Sequence, residues 1–117
     1  MKPEIVNIIL YCDQWQDTIR FYRDTIGFTV NMANSWLVEF QVTKYTCLSV
    51  ADASATSIRS AGGAGVTVTF KVPNLQGVWS TLKDKGVVIG PILPSSLGGQ
   101  AFFLHDPEKN RLEFWSA

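Results

Sequence analysis

Short apolar, β-prone runs occur along most of the chain, and two stretches change to a helical spacing. Ile5–Tyr11 is an apolar run too short for a free-standing helix, which favours a buried strand. Four apolar residues within 14–26 then recur at helical spacing: Trp15, Ile19, Tyr22 and Ile26. Asp13 is placed to cap this helix, and Gly27 stands where a left-handed residue ends one. The pattern predicts a strand followed by an amphipathic helix.

Three short β-prone runs follow the helix and are separated by turn-forming residues. They are Phe28–Met32, Trp36–Val42 and Tyr45–Val50. The first half is therefore predicted as βαβββ. The polar, small-residue stretch from Asp52 to Gly65 has no apolar period and is predicted as a connection. Its role as a linker, a lid or a segment ordered by dimerisation stays open at this point.

The second half repeats the order of the first. Val66–Val72 is predicted as a strand, and a helix with the apolar face Leu75, Val78, Trp79 and Leu82 ends at Gly86. Three further strands are predicted at Val87–Ile92, Gln100–His105 and Arg111–Ser116, with turns at Ser95–Gly99 and Asp106–Asn110.

The repeat predicts one α+β domain over residues 1–117, with module one at 1–51, a connection at 52–65 and module two at 66–117. Each βαβββ module alone would leave one sheet face unburied. We therefore expect a curved mixed sheet around a shared cleft, with the helices outside.

Composition and charge exclude several classes of partner. The chain is 46% hydrophobic, and its ten basic and ten acidic residues are interspersed, so no footprint for nucleic acid is present. Neither a signal-peptide core nor a membrane span is found, which predicts a cytoplasmic protein without membrane contact. Cys12 and Cys47 lack CxxC spacing and are expected to be reduced, buried thiols.

Three motifs in order along the chain carry a family resemblance. They are Phe21-Tyr22 with Asp24-Thr25-Ile26-Gly27-Phe28, Leu75 with Lys85-Gly86-Val87, and the run from His105 to Phe114. Together with the repeat they resemble the vicinal oxygen chelate superfamily, which includes glyoxalase I, bleomycin-resistance proteins and extradiol dioxygenases. Lys109 stands where that family usually has Gly, so Asn110 is expected to carry the left-handed turn conformation alone.

The resemblance implies a divalent metal bound by His and Glu side chains of the first and last strands of each module. Asn7 and Thr67 take the two His positions, Tyr45–Val50 contains neither His nor a carboxylate, and Glu113 alone matches its expected ligand. One carboxylate is a poor site for a transition metal, so we expect no metal ligand set and no cofactor, a divalent metal being the less favoured alternative. His105 is interpreted as a turn residue, and Cys47 as a buried thiol rather than a thiolate donor.

Strand alternation extends the matched positions to a candidate ligand-binding face. Its members are Asn7, Tyr11, Thr67, Thr69, Arg111 and Trp115, with Trp36 and Phe103 added as nearby aromatics. Trp36 and Trp115 have the alternative role of core or dimer-interface aromatics. Glu113 is the candidate catalytic base, and its alternative role is an ion pair with Arg111, two residues away.

The resemblance and the missing metal ligands favour a small-molecule-binding protein of the glyoxalase/bleomycin-resistance type. Its ligand would be planar or cationic, and the family implies a homodimer. The alternative is a lyase, epimerase or dioxygenase with a displaced metal or a metal-free mechanism at Glu113. A noncatalytic regulatory or assembly partner is the third hypothesis. Bound metal discriminates between the first two.

Overall fold

The computed structural model describes residues 1–96 and 98–117, so Leu97 of the predicted Ser95–Gly99 turn lies outside the described residues. The chain forms two compact units, Met1–Gly62 and Gly63–Ala117. Each unit contains a helix and a four-stranded mixed sheet in the order βαβββ. The predicted α+β class with a repeated βαβββ pattern is confirmed.

The sheet of the first unit has the strand order β1-β4-β3-β2, in which β1 is parallel to β4 and the other pairs are antiparallel. Its strands are β1 (Val6–Cys12), β2 (Thr29–Ala33), β3 (Leu37–Thr43) and β4 (Thr46–Asp52). Leu10 is in register with Val50, and Phe40 with Leu48, and all four side chains are buried. One sheet face is therefore the apolar core of this unit, as period-two alternation requires.

The first helix packs on this apolar face. It is α-helical over α1 (Trp15–Arg20) and continues as a π-helical turn over Phe21–Ile26. Gly27 ends it with φ 89°, which confirms the predicted left-handed residue. Fully buried Tyr22 has its ring 6.1 Å from that of Phe40.

The N-cap of this helix is Gln14 rather than the predicted Asp13. The helix begins one residue later than predicted, and the Gln14 side chain makes no capping hydrogen bond. The Gln14 carbonyl instead accepts from the backbone N–H of Thr18 at 3.0 Å and from its hydroxyl at 2.6 Å.

The sheet of the second unit has the order β5-β8-β7-β6, again with its first and last strands, β5 and β8, parallel. Its elements are β5 (Thr67–Lys71), α2 (Leu75–Asp84), β6 (Leu93–Pro94), β7 (Gln100–His105) and β8 (Arg111–Ser116). Asn74 caps α2 by accepting from the Gly77 N–H at 3.1 Å. The bounds of β7 and β8 coincide with the predicted ranges.

The predicted strand Val87–Ile92 is wrong, because only the two residues of β6 pair with β7 in this region. Gly90 donates one hydrogen bond to the Phe103 carbonyl at 3.1 Å. The next residue, Pro91, has no N–H to continue a ladder.

The turn between β7 and β8 corrects a third prediction, since Lys109 and not Asn110 is the left-handed residue, with φ 69°. The carboxylate of Asp106 accepts from the Asn110 backbone at 2.9 Å and from its side chain at 2.9 Å. These bonds hold Asn110 at the entrance to β8. Lys109 therefore has the left-handed conformation that reverses the chain, and it occupies the position where the family usually has Gly.

The stretch between the two sheets begins with a short helical turn. Asp52, the last residue of β4, accepts from the Ser54 N–H at 3.0 Å and caps the 3₁₀ turn Ala53–Ala55. Cys12 and Cys47 are buried, and neither forms a disulfide. Within the described part of the chain, no helix has the length and apolar character needed to cross a membrane.

Candidate functional site

The strand registers of the second unit bring most of the predicted binding residues onto one sheet face. In the parallel pair, Thr67 is opposite Arg111 and Thr69 is opposite Glu113; in the antiparallel pair, Phe103 is opposite Glu113. We call this the module-two face and define it as Thr67, Thr69, Lys71, Phe103, Arg111, Glu113 and Trp115. Lys71 joins it because it is in register with Trp115.

Glu113 is the buried charged group of the module-two face. It is 6% exposed, and its Oε1 accepts a hydrogen bond from the Thr69 hydroxyl at 2.9 Å. The predicted ion pair with Arg111 is not formed, although Arg111 lies two residues away on the same strand. A neighbouring strand therefore supplies the partner of this carboxylate.

Arg111 has different partners from those expected. Its Nε donates to the Thr67 hydroxyl at 2.9 Å, and its guanidinium carbon lies 4.9 Å from the centre of the Phe103 ring. The ring and the hydroxyl together restrict the position of the guanidinium. The cation is thus held on the exposed surface of the sheet.

The two aromatic residues of the module-two face are not core residues. Phe103 is 39% exposed, and Trp115 is partly buried near the end of β8. The Nζ of Lys71 lies 5.1 Å from the centre of the Trp115 ring. Each aromatic ring is therefore paired with one exposed cation.

The corresponding face of the first sheet contains Asn7 and a residue that the sequence did not single out. Asn7 Oδ1 accepts from the Ser49 hydroxyl at 2.9 Å, and Ser49 is fully buried. Ser49 is in register with Ile9, two residues after Asn7. In the same way, Glu113 is in register with Thr69, two residues after Thr67. Ser49 is therefore the counterpart of Glu113 in the repeat.

A polar cluster beside this pair was also missed. The Asn31 amide, at a bulge in β2, donates to Gln41 Oε1 at 2.5 Å and to Glu39 Oε2 at 3.4 Å. The Cys47 thiol lies 3.7 Å from the same Gln41 oxygen. Alternation of Glu39 and Gln41 with apolar residues in β3 was the available signal, but the partner strand could not be identified from alternation alone.

Tyr11 and Trp36, the remaining predicted binding residues, and His105, which was interpreted as a turn residue, lie elsewhere. Tyr11 is partly buried and is in register with Ala51, on the same side of its sheet as Asn7. Trp36 is 38% exposed and lies in a bend before β3, outside the strand register that groups the others. His105 is exposed opposite Arg111, at the end of β7.

A comparison of the sequence with known protein families identifies the family of this chain. The model of the Glyoxalase/Bleomycin resistance protein/Dioxygenase superfamily matches residues 4–114. The chain belongs to this superfamily. No curated protein matches it in sequence.

Solved structures show the same fold. A lactoylglutathione lyase from Agrobacterium tumefaciens has a TM-score of 0.78 at 18% identity, with 97% of this chain and 92% of that chain covered. A glyoxalase/bleomycin resistance protein/dioxygenase from Nocardioides has a TM-score of 0.82 at 16% identity, covering 99% and 84%. A superfamily member from Sphaerobacter thermophilus has a TM-score of 0.78 at 17% identity, covering 100% and 99%. At such identities the likeness shows the fold alone.

The residues at the superfamily's metal-ligand positions do not fit a tightly bound transition metal. They are an amide, two hydroxyls and one carboxylate, from Asn7, Ser49, Thr67 and Glu113. Three of the four are hydrogen-bonded to a strand neighbour or to Arg111, and the carboxylate accepts from Thr69. Among residues 1–96 and 98–117, no three His, Cys, Asp or Glu side chains form a group that could hold a metal ion. Transition metals require several strong nitrogen, oxygen or sulfur donors in fixed geometry.

Proposed function

We propose that this protein is a small-molecule-binding member of the glyoxalase/bleomycin-resistance type that works without a catalytic metal. One observation carries the proposal: the module-two face places exposed aromatic surface beside hydrogen-bonding and charged groups on a regular sheet. Phe103 is 39% exposed and Arg111 is held against it. Ligand sites combine apolar walls with a few oriented polar groups in this way.

The hydrogen bonding within each sheet supports binding rather than metal chemistry. Ser49 bonds to Asn7 in the first unit, and Thr69 bonds to Glu113 in the second, both at 2.9 Å. Each pair satisfies polar groups that would otherwise be costly to bury. These positions therefore have a structural use that needs no ion.

The alternative function is a reaction with Glu113 as its base. A base must reach the proton that it removes, within about 2.6–3.2 Å or through one water molecule. Glu113 is 6% exposed and Oε1 accepts from Thr69. This arrangement favours a structural or ligand-orienting carboxylate, and the catalytic role stays a prediction.

We also propose a homodimer in the cytoplasm. Apolar side chains at the start of the first strand are exposed, with Val6 at 49% and Ile8 at 39%. Exposed apolar surface of this kind is commonly covered by a partner subunit. Light scattering at several protein concentrations should give twice the chain mass, and a monomer throughout would reject the dimer.

The experiment that tests the function combines metal analysis with binding of planar probes. Protein purified without chelator or metal-affinity resin, and then incubated with nickel, zinc, manganese or ferrous iron, should retain far less than one equivalent. At least one of 2-naphthoate, 2-naphthamide and N-methylquinolinium should bind in calorimetry. Trp115→Ala should weaken that binding by about 1–3 kcal/mol, the loss expected when a flat ring contact is removed.

Tyr45→Ala is the matched control, since it removes an aromatic residue that is 61% exposed and lies outside the module-two face. It should leave the affinity unchanged. Retention of one transition metal per chain would overturn the metal-independent mechanism. Binding by none of the three probes would overturn a planar-ligand site.

A further inference from the structure

The charges of the module-two face are unequally exposed. Arg111 and Lys71 are exposed cations, whereas Glu113 is buried and accepts a hydrogen bond from Thr69. An approaching ligand therefore meets the two cations before the one anion. The electrostatic preference of such a surface is for a negative group.

Arg111 is oriented in advance by two contacts. Nε donates to the Thr67 hydroxyl, and the central carbon of the guanidinium lies over the Phe103 ring, 4.9 Å from the ring centre. Neither contact uses the outer edge of the guanidinium group, which is formed by Nη1 and Nη2. Nη1 and Nη2 form no hydrogen bond or ion pair with any residue in the described ranges 1–96 and 98–117.

A guanidinium with a free outer edge matches a carboxylate in one particular way. Two parallel N–H groups donate to the two carboxylate oxygens in a common plane. Because the Thr67 hydroxyl and the Phe103 ring both contact the guanidinium and leave this edge open, a ligand whose carboxylate is conjugated with a flat ring can engage both N–H groups while its ring extends along the sheet. Trp115 lies four residues along β8 on the same face, about 13 Å away at the usual rise of a strand.

We propose that the module-two face binds a planar carboxylate anion, with Arg111 as the anchor of the carboxylate and Phe103 as the residue that orients it. The proposal rests on the proposed small-molecule function and specifies its ligand class. It selects an anion, whereas the sequence predicted a planar or cationic ligand. The shared chemistry is an aromatic carboxylate, whatever its metabolic source.

The test compares three probes of similar shape and different charge: 2-naphthoate, neutral 2-naphthamide and cationic N-methylquinolinium. Calorimetry at low ionic strength should give the tightest binding for 2-naphthoate, and added salt should weaken this binding more than that of the amide. Arg111→Met should lower the affinity for 2-naphthoate by about tenfold or more, as expected for loss of a charge-assisted hydrogen-bond pair. Its affinity for 2-naphthamide should change by less than about threefold.

Three further variants separate orientation from charge. Arg111→Lys keeps the charge without the planar fork and should recover only part of the lost affinity. Phe103→Leu should weaken 2-naphthoate binding while Arg111 is retained. Arg59→Met removes an exposed arginine from the first unit and should leave the affinity unchanged. Thermal unfolding of every variant verifies that it is folded.

The outcomes distinguish this proposal from the proposed function. Equal or tighter binding of the amide or the quinolinium, with dependence on Trp115, would overturn the anion site and leave a small-molecule binder. Binding of 2-naphthoate that is unaffected by Arg111→Met would do the same. Failure of all three probes to bind would overturn both.

Discussion

The close approach of Gly63 to the β7–β8 turn leads to a sharp prediction about stability. Gly63 has φ +83°, and a Cβ built on it would lie 2.0 Å from the Lys109 carbonyl oxygen and 2.5 Å from its carbon. The neighbouring Gly62 has φ +60°, but a Cβ there would meet nothing within 4 Å. Gly62→Ala and Gly63→Ala therefore share the backbone cost and differ in the steric one.

The expected magnitude follows from these two terms. A left-handed conformation costs an alanine roughly 1–2 kcal/mol, partly offset by about 0.4–1 kcal/mol from the stiffer unfolded chain. Gly62→Ala should thus destabilise by between about 0 and 1.6 kcal/mol. Gly63→Ala must also move the Lys109 carbonyl by about an ångström, which disturbs the buried hydrogen bonds from Lys109 and Asn110 to Asp106. Loss of one or two such bonds adds about 2–3 kcal/mol.

Urea unfolding at 25 °C measures this difference. With a slope of about 1–3 kcal/mol per molar urea, Gly63→Ala should have a midpoint about 0.7–3 M below that of Gly62→Ala. Both variants should keep the slope of the parent protein. Free energies of unfolding for the two variants that agree within about 0.3 kcal/mol would refute the close packing of Gly63 on the turn.

Two further predictions concern buried carboxylates. Asp106→Ala should lower the free energy of unfolding by about 3 kcal/mol or more, because three donors at 2.9 Å lose their acceptor in a buried turn; a loss below about 1 kcal/mol in urea unfolding would contradict this role. Thr69→Val should destabilise by about 1–3 kcal/mol by removing the hydrogen-bond donor to buried Glu113, whereas Thr67→Val, which frees an exposed arginine, should cost less than about 1 kcal/mol. Equal effects of the two threonine variants would show that Glu113 does not depend on its partner.

Local patterns in the sequence were sufficient to predict most of the helices and strands. Short β-prone runs bounded by turn residues predicted β7 at Gln100–His105 and β8 at Arg111–Ser116 with their observed bounds, and helical spacing located both helices. The same rules failed at Val87–Ile92, where an apolar run has strand propensity but the pairing with β7 is confined to the next two residues, Leu93 and Pro94. Propensity describes a segment by itself, whereas a strand exists only through its partner.

The turn at Lys109 shows a similar limit. Residue preference favours Asn over Lys in a left-handed conformation, and Asn110 was the predicted position for this reason. The structure has φ 69° at Lys109, because Asp106 binds both the backbone and the side chain of Asn110. A network of buried hydrogen bonds outweighs a single-residue preference of about 1 kcal/mol.

The sequence by itself determined the repeated βαβββ order, the two helices and the residues that alternate onto each sheet face, because these depend on periodicity within one segment. Tertiary structure alone decided which groups meet across strands. Glu113 pairs with Thr69 rather than Arg111, Arg111 with Thr67, and Asn7 with Ser49. Hydrogen bonds require distances near 3 Å between segments that are more than forty residues apart in the chain, and only the registers of β1 with β4 and of β5 with β8 establish those distances.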